Sequence, residues 1–270
     1  MIITTARKQV GTLAELVKVI SNDLNAISLT RDDRSVAALV QEFEDDVLVV
    51  GKDRLTLYPK DGGTPFFYHP NSAMFRVKQF VATSYDPLVE AGKMEKGMSV
   101  LDCTLGLAAD ALVAKIAVGK EGHVTGVEAN QLLAYLVRYG LQQWTDGPKL
   151  LLHAMKEIEV IHQSHLTYLQ SCEDQSVDVI YFDPMFEADL DSKGIAGLKS
   201  FAVYDDLTDE AIEQAKRVAR KRVVLKDHYL SERFHKFHFQ VQKRQHAMFH
   251  YGFIEKKGLK KQKSGEDDER

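Results

Sequence analysis

The sequence is short of the residues that staple, span or bind metal. Its two cysteines, Cys103 and Cys172, are too few for a disulfide framework and match no zinc-ligand spacing, so no metal is expected. No apolar run approaches the ~18 residues of a membrane span. Met1-Ile2-Ile3-Thr4-Thr5 is too short for a signal peptide's apolar region and has no basic segment before it. These absences predict a reducing, cytoplasmic setting with no membrane partner. Positive charge is not in excess either: 35 Lys and Arg face 39 Asp and Glu, a net charge of −4. That argues against indiscriminate coating of nucleic acid and leaves a local basic face open. No internal repeat or low-complexity linker is visible. The dinucleotide-binding G-x-G-x-x-G pattern is missing as well, because Gly106 is the one glycine in the turn where it would stand.

What is present is a core-forming sequence, 270 residues long and 44% apolar. That length fits one large domain, or a catalytic domain of roughly 180 residues with a smaller one attached. Residues 1–82 read as a small α+β domain. Met1–Thr5 is a β-branched strand. Thr12 and Glu15 stand at capping-box spacing ahead of Leu16, Val17 and Ile20. Ser35 can cap a second helix through Phe43. Val47–Val50 and Arg54–Tyr58 form a hairpin, and Phe66–Tyr68 a further strand.

From Asp86 to Gly97 runs a polar, helix-compatible bridge, and then strand and helix alternate. The strands are Ser99–Leu101, Val124–Val127, Ile158–Ile161, Val177–Phe182 and Arg222–Leu225. Helices are expected over Ala108–Val118, Gln131–Trp144, a short stretch before Val177, and from the Thr208 cap to about Lys221. Phe237–Lys243 and Met248–Glu255 can close the sheet as an antiparallel hairpin. The expected class is α/β, a doubly wound sheet over residues 83–255 with helices on both faces. Residues 256–270 read as a charged, disordered tail.

Doubly wound sheets bind ligands where strands end. The first such turn is Asp102-Cys103-Thr104-Leu105-Gly106-Leu107-Ala108-Ala109-Asp110. Gly106 lets the backbone approach a ligand, or serves an ordinary strand-to-helix turn. Glu128 ends the next strand, 26 residues after Asp102. A carboxylate there can accept from both hydroxyls of a ribose, or simply open a surface helix. Ser164 and His165 follow the third strand, as an adenine-side lining or as a helix cap.

Asp183-Pro184-Met185-Phe186 follows a buried strand and is the most informative segment. Proline stiffens the loop. The Asp183 carboxylate and the Pro184 carbonyl can accept from an exocyclic amine, and Phe186 can stack on a base. The alternative is a strand-end turn with a core phenylalanine.

This loop resembles the (D/N)-P-P-(Y/F) motif of amino methyltransferases, with Met185 in place of the second proline. From Phe66 to Tyr229 the chain resembles the bacterial small-subunit ribosomal RNA guanine-N2 methyltransferase family. The matching pieces are Leu101-Asp102-Cys103-Thr104 with Gly106 and Asp110-Ala111, then Glu128, and Val160-Ile161-His162 with Ser164, Leu166 and Thr167. Asp183–Phe186 and Arg222-Val223-Val224-Leu225-Lys226 complete them.

The resemblance implies a Rossmann-like methyltransferase sheet and S-adenosylmethionine as cofactor. It places Ala109-Asp110, Glu128-Ala129, Ser164-His165 and Asp183 at that cofactor, beside Asp102, Thr104 and Gly106. Asp183, Pro184 and Phe186 become the catalytic set. Ribosomal RNA or the small ribosomal subunit becomes the partner, with Arg76, Lys78 and Lys226 as RNA contacts. Lys243 and Arg244 open a stretch to Lys263 with seven Lys or Arg and one acid, either an RNA-facing patch or a solvated tail. Ala108 stands where the family has a second glycine, and both termini look unlike its enterobacterial members. Three other readings stay open: methylation of another acceptor, a non-catalytic RNA-binding relative, and, on weaker grounds, a nicotinamide dehydrogenase.

Overall fold

The computed structural model describes residues 1–7, 10–184 and 207–256. Two sheets organise them. The first has the order β2-β1-β3-β4. It comprises β1 (Ile2–Thr5), β2 (Ile27–Ser28), β3 (Val47–Val50) and β4 (Leu55–Tyr58). β1 runs parallel to β2 and β3, and β3 and β4 form the expected antiparallel hairpin. Helices α1 (Val10–Asp23) and α2 (Val36–Phe43) make the crossovers. β1 and β3 are buried along their whole length, which is why their apolar residues run together instead of alternating. Ser35 caps α2 as expected, its hydroxyl accepting from the Ala38 N–H at 3.0 Å.

The second sheet has seven strands in the order β10-β11-β9-β8-β5-β6-β7. These are β5 (Ser99–Asp102), β6 (His123–Glu128), β7 (Ile158–His162), β8 (Val177–Phe182), β9 (Ala219–His228), β10 (Gln240–Gln242) and β11 (Phe249–Glu255). β7, β6, β5, β8 and β9 are mutually parallel, and β11 and β10 close the edge antiparallel. The chain winds one way from β5 through β6 to β7, and the other way from β8 to β9. The carboxyl ends of β5 and β8 therefore flank the topological switch point, where such sheets bind ligands.

Helices cover both faces: α3 (Asn71–Thr83), α4 (Pro87–Gly92), α5 (Ala109–Val118), α6 (Gln131–Gln143), α7 (Lys149–Lys156), α8 (His165–Ser171), α9 (Asp209–Val218) and the short α10 (Arg233–Lys236). None of the described helices is long and apolar enough to cross a membrane.

The structure differs from the sequence reading at several elements, among them β2 and α10, which were not expected. α1 begins at Val10, so Thr12 lies inside its first turn and is not its cap. The Phe66–Tyr68 strand shrinks to a single bridge between Leu57 and Phe66. α3 was not expected, because Pro70 reads as a stop; Pro70 instead occupies the N-cap, where a missing N–H costs little. α7 was not expected either and starts behind Pro148 in the same way. α9 ends at Val218, three residues before Lys221, because Ala219 already pairs with Val177 of β8.

One apolar cluster runs from Ile3, Leu48 and Leu57 through Tyr68 to Leu112 of α5 and Val137 of α6. The two sheets are thus joined by packing, with Tyr68 as the wedge. A methyl at Gly140 of α6 would sit 2.2–2.6 Å from Cδ1, Cγ and Cβ of Tyr68. No rotation of Tyr68 clears its own Cβ. Gly140→Val should therefore destabilise by about 1–3 kcal/mol, the range for overpacking. The unfolding midpoint should fall by about 2–4 °C per kcal/mol for a chain of this size. A calorimetric scan with an unchanged midpoint would show that this contact is not holding the sheets together.

Candidate active site

The carboxyl ends of β5, β6 and β8 bring three acidic side chains to the switch point. Asp102 ends β5 and is 1% exposed. Its Oδ1 accepts from the Thr104 N–H at 3.1 Å, whereas its Oδ2 is buried without a partner among the described residues. Burial, with added repulsion from Asp110 and Asp183, pushes this carboxyl well above the usual carboxylate range. A buried oxygen with no donor is rare in folded proteins and points to a ligand group that supplies one.

Between Asp102 and α5 the backbone bends through two left-handed residues, Gly106 at φ +48° and Ala108 at φ +60°. Glycine adopts that region without strain, whereas alanine pays roughly 1–2 kcal/mol. Ala108 is nonetheless fixed there as the N-cap residue of α5. The Gly106 N–H donates to Glu128 Oε2 at 3.1 Å, and the Asn130 N–H to Oε1 at 2.9 Å. Burial raises the Glu128 carboxyl, and these backbone donors hold it in one orientation. A carboxylate accepts about four hydrogen bonds, so a ligand's hydroxyls can still be taken.

Asp183 follows β8. Its N–H donates to Thr104 Oγ1 at 2.6 Å, which ties the loop after β8 to the loop after β5. Its Oδ2 meets the Lys226 ammonium of β9 at 2.5 Å. Lys226 also lies 3.7 Å from Asp110 Oδ2, at the start of α5. Asp110 Oδ1 takes Arg76 Nη1 of α3 at 2.5 Å, and Arg76 grips Asp86 through Nη2 at 3.0 Å and Nε at 3.1 Å. The result is a chain of alternating charge, Asp86–Arg76–Asp110–Lys226–Asp183. Burial alone would raise Asp110, but Lys226 and Arg76 bring its carboxyl down to about 2. Burial opposes the charge on Lys226 as well, yet Asp110 and Asp183 leave its ammonium above the usual lysine value.

Beside this chain opens a pocket of about 290 Å³, walled by Arg76, Tyr85, Lys226, Arg244, Phe249 and Tyr251.

The remaining expected site residues are placed as follows. Ser164 caps α8, its Oγ accepting from the Thr167 N–H at 3.2 Å. His165 is buried, its ring edge-on to Phe182 at 5.7 Å between centroids. Ala109 and Ala129 flank Asp110 and Glu128 and are partly exposed. Pro184 follows Asp183, whereas Phe186 lies outside the described residues. Arg76 and Lys226 face the site with their charges engaged by carboxylates, while Lys78 and Lys243 are exposed. Of the lysine-rich stretch, residues 257–263 lie outside the described residues.

Asp86, Tyr85, Phe249 and Tyr251 were missed. Asp86-Pro87 was a readable helix start, since Asp86 caps α4 with Pro87 in its first turn, but no spacing joins Asp86 to Arg76. Among the described residues no group of three or more His, Cys, Asp or Glu is placed to hold a metal ion.

Comparison with known proteins bears on this arrangement. The profile of the SAM-dependent methyltransferase family, SAM_MT, matches residues 32–249. The uncharacterized protein YpiP of Bacillus subtilis (strain 168) is 44% identical over 94% of this chain and 99% of its own length. Ribosomal RNA small subunit methyltransferase J of Pectobacterium atrosepticum is 30% identical, over 66% of this chain and 74% of its own. The enzyme of that name from Shewanella loihica is 30% identical over 73% and 75%. In fold, a SAM-dependent methyltransferase from Neisseria gonorrhoeae superposes with a TM-score of 0.62 at 16% identity, covering 97% of this chain and 98% of that one. The chain belongs to the SAM-dependent methyltransferase family, takes S-adenosylmethionine as its cofactor, and is a distant homologue of the ribosomal RNA small subunit methyltransferases J.

Proposed function

We propose that the protein methylates an exocyclic amine of a nucleobase, with guanine N2 of small-subunit ribosomal RNA as the acceptor and the cytoplasm as its setting. The observation that carries this reading is the placement of Asp183. Its carboxylate stands at the switch point, its backbone N–H pinned by Thr104 and its Oδ2 held by Lys226, directly before Pro184. In this reading residues 83–255 carry the chemistry, and Arg76 reaches in from the segment 1–82.

The residues present fit the cofactor. The unpartnered Oδ2 of Asp102 suits its cationic amino-acid end, and Glu128, oriented by Gly106 and Asn130, suits the ribose hydroxyls. Ala109, Asp110, Ala129, Ser164 and His165 complete the lining of that crevice. When bound, S-adenosylmethionine supplies an electrophilic methyl group on a sulfonium.

The protein's task is to present the amine. An aryl amine is a poor nucleophile because its lone pair is spread into the ring. The Asp183 carboxylate and the Pro184 carbonyl accept its two N–H groups, which localises the lone pair and fixes its direction. Lys226 takes one acceptor position of the Asp183 carboxylate, which has about four. Alkylation makes the nitrogen acidic, so its proton leaves to solvent and no strong base is needed. Orientation of this kind can remove several kcal/mol from a barrier. Phe186 stacks on the base once it has left its helix or loop.

Asp183→Ala should lower single-turnover methyl transfer to ribosomal RNA by about two orders of magnitude, ~3 kcal/mol, with a much smaller loss of cofactor affinity. Near-normal transfer would remove Asp183 from the site. Glu128→Ala should weaken S-adenosylmethionine binding by about 1–3 kcal/mol in calorimetry, and unchanged affinity would take Glu128 out of the ribose contact.

Asp102 generates a prediction of opposite sign for stability. Folded Asp102 holds its proton more tightly than the unfolded chain does, so it favours the ligand-free fold below the unfolded value near ~3.9 and this support is lost as pH rises through the folded value. Asp110 acts in the other window, its support being lost as pH falls from there towards about 2. Asp102→Asn should therefore raise the ligand-free unfolding midpoint at neutral pH, flatten its decline above pH ~4, and weaken cofactor binding. A lower midpoint with intact binding would contradict the assignment.

A further inference from the structure

Arg244 differs from the other cations around the pocket beside Asp183. Arg76 is paired with Asp86 and Asp110, and Lys226 with Asp183. Arg244 has no carboxylate partner among the described residues; its Nη1 reaches only the Phe249 carbonyl at 3.5 Å, and its guanidinium lies 5.9 Å from the Tyr251 ring centroid. A guanidinium so placed is available to an anion.

Beside these cations the pocket is lined by three aromatic rings, Tyr85, Phe249 and Tyr251, and by Gln79, Asp86 and Pro87. The pairing of Tyr251 with Lys226 and of Phe249 with His228 puts these four side chains on one face of the β9–β11 ladder. Tyr85, 51% exposed, also lines the pocket. At the rim the His228 ring lies 6.1 Å from Phe249 and 4.5 Å from Tyr229, which is itself 51% exposed.

We infer that this pocket binds one unpaired nucleotide of an RNA strand, its base against Tyr85 and Phe249 and its phosphate on Arg244. The inference rests on the nucleobase reading above and adds where the strand lies. Size favours a single nucleotide: about 290 Å³ is at the low end of small-molecule pockets, ~300–1,000 Å³, and a duplex does not fit. Chemistry favours it too, because only an unpaired base offers its face to an aromatic ring. So does position, since Lys226 belongs both to the pocket wall and to the ion pair with Asp183. The occupant is then a neighbour of the acceptor nucleotide along the same strand. In a chain of net charge −4, a local unpaired cation of this kind is what a polyanion would meet.

Fluorescence anisotropy with a labelled RNA hairpin carrying an unpaired loop, compared with a fully paired duplex of the same stem, tests this over a salt series. Arg244→Gln should weaken loop binding and reduce the slope of log K against log salt by about 0.7, one phosphate contact on a single strand, while Arg244→Lys keeps the slope. Tyr85→Ala should weaken loop binding about 5- to 150-fold, the loss of one stacked base, with the slope unchanged. The duplex should bind more weakly and ignore Tyr85→Ala. Unchanged S-adenosylmethionine affinity in each variant verifies that the fold is intact. Wild-type affinity and slope in Arg244→Gln and Tyr85→Ala would overturn the pocket assignment, and so would equal losses on the duplex. If Asp183→Ala still abolishes methyl transfer in that case, the nucleobase reading survives without the pocket. If the wild-type protein binds neither RNA, both readings fall.

Discussion

The half-buried ion-pair chain from Asp86 through Arg76, Asp110 and Lys226 to Asp183 is the constraint on which the site depends. It joins the cap of α4, the middle of α3, the start of α5, β9 and the loop after β8. Charges in such a place are tolerated only as a set, because removing one partner strands another in a poorly solvated position, at a cost of about 3–5 kcal/mol. The chain adds little net stability over an apolar filling. What it provides is direction, since each carboxylate is held by a donor from a different element.

The set is also unbalanced. Among the described residues Arg76 and Lys226 hold Asp86, Asp110 and Asp183, and Asp102 is the carboxyl left over, with an oxygen that no described donor reaches. A cofactor carrying positive charge corrects that imbalance. The left-handed Ala108 adds local strain next to the same loop. Both features cost stability in the ligand-free protein and sit where a ligand can return it, the usual bargain at functional sites. Lys226, in the wall of the pocket lined by Tyr85, Phe249 and Tyr251, also pairs with Asp183, so the pocket and the carboxyl ends of the central strands share one electrostatic frame.

Much of the fold was legible because its strands are short, buried and punctuated. The alternation from Ser99 to Leu225 and the closing hairpin followed from runs of apolar residues between turns, and all appear in the sheet. α3 and α7 were not legible, since each begins behind a proline that reads as a break. The end of α9 was misplaced because Ala219–Lys221 suits either state and only pairing with β8 decides it. Asp102, Glu128 and Asp183 could be singled out because strand ends at a switch point are where chemistry collects. Ser164 was open between a lining and a cap, and in the structure it caps α8.

The sequence by itself determined the doubly wound sheet, the strand-end carboxylates and the Asp183-Pro184 loop, because hydrophobic period and turn chemistry are local properties. Only the tertiary structure decided which charges meet. The resemblance implies an RNA contact for Arg76, and the structure adds that its guanidinium pairs with Asp86 and with Asp110, 34 residues away. Arg244, the second of two adjacent basic residues, is the pocket cation left without a carboxylate among the described residues. Pairing energy depends on distance in space and on exclusion of water, and neither is written in the order of the residues.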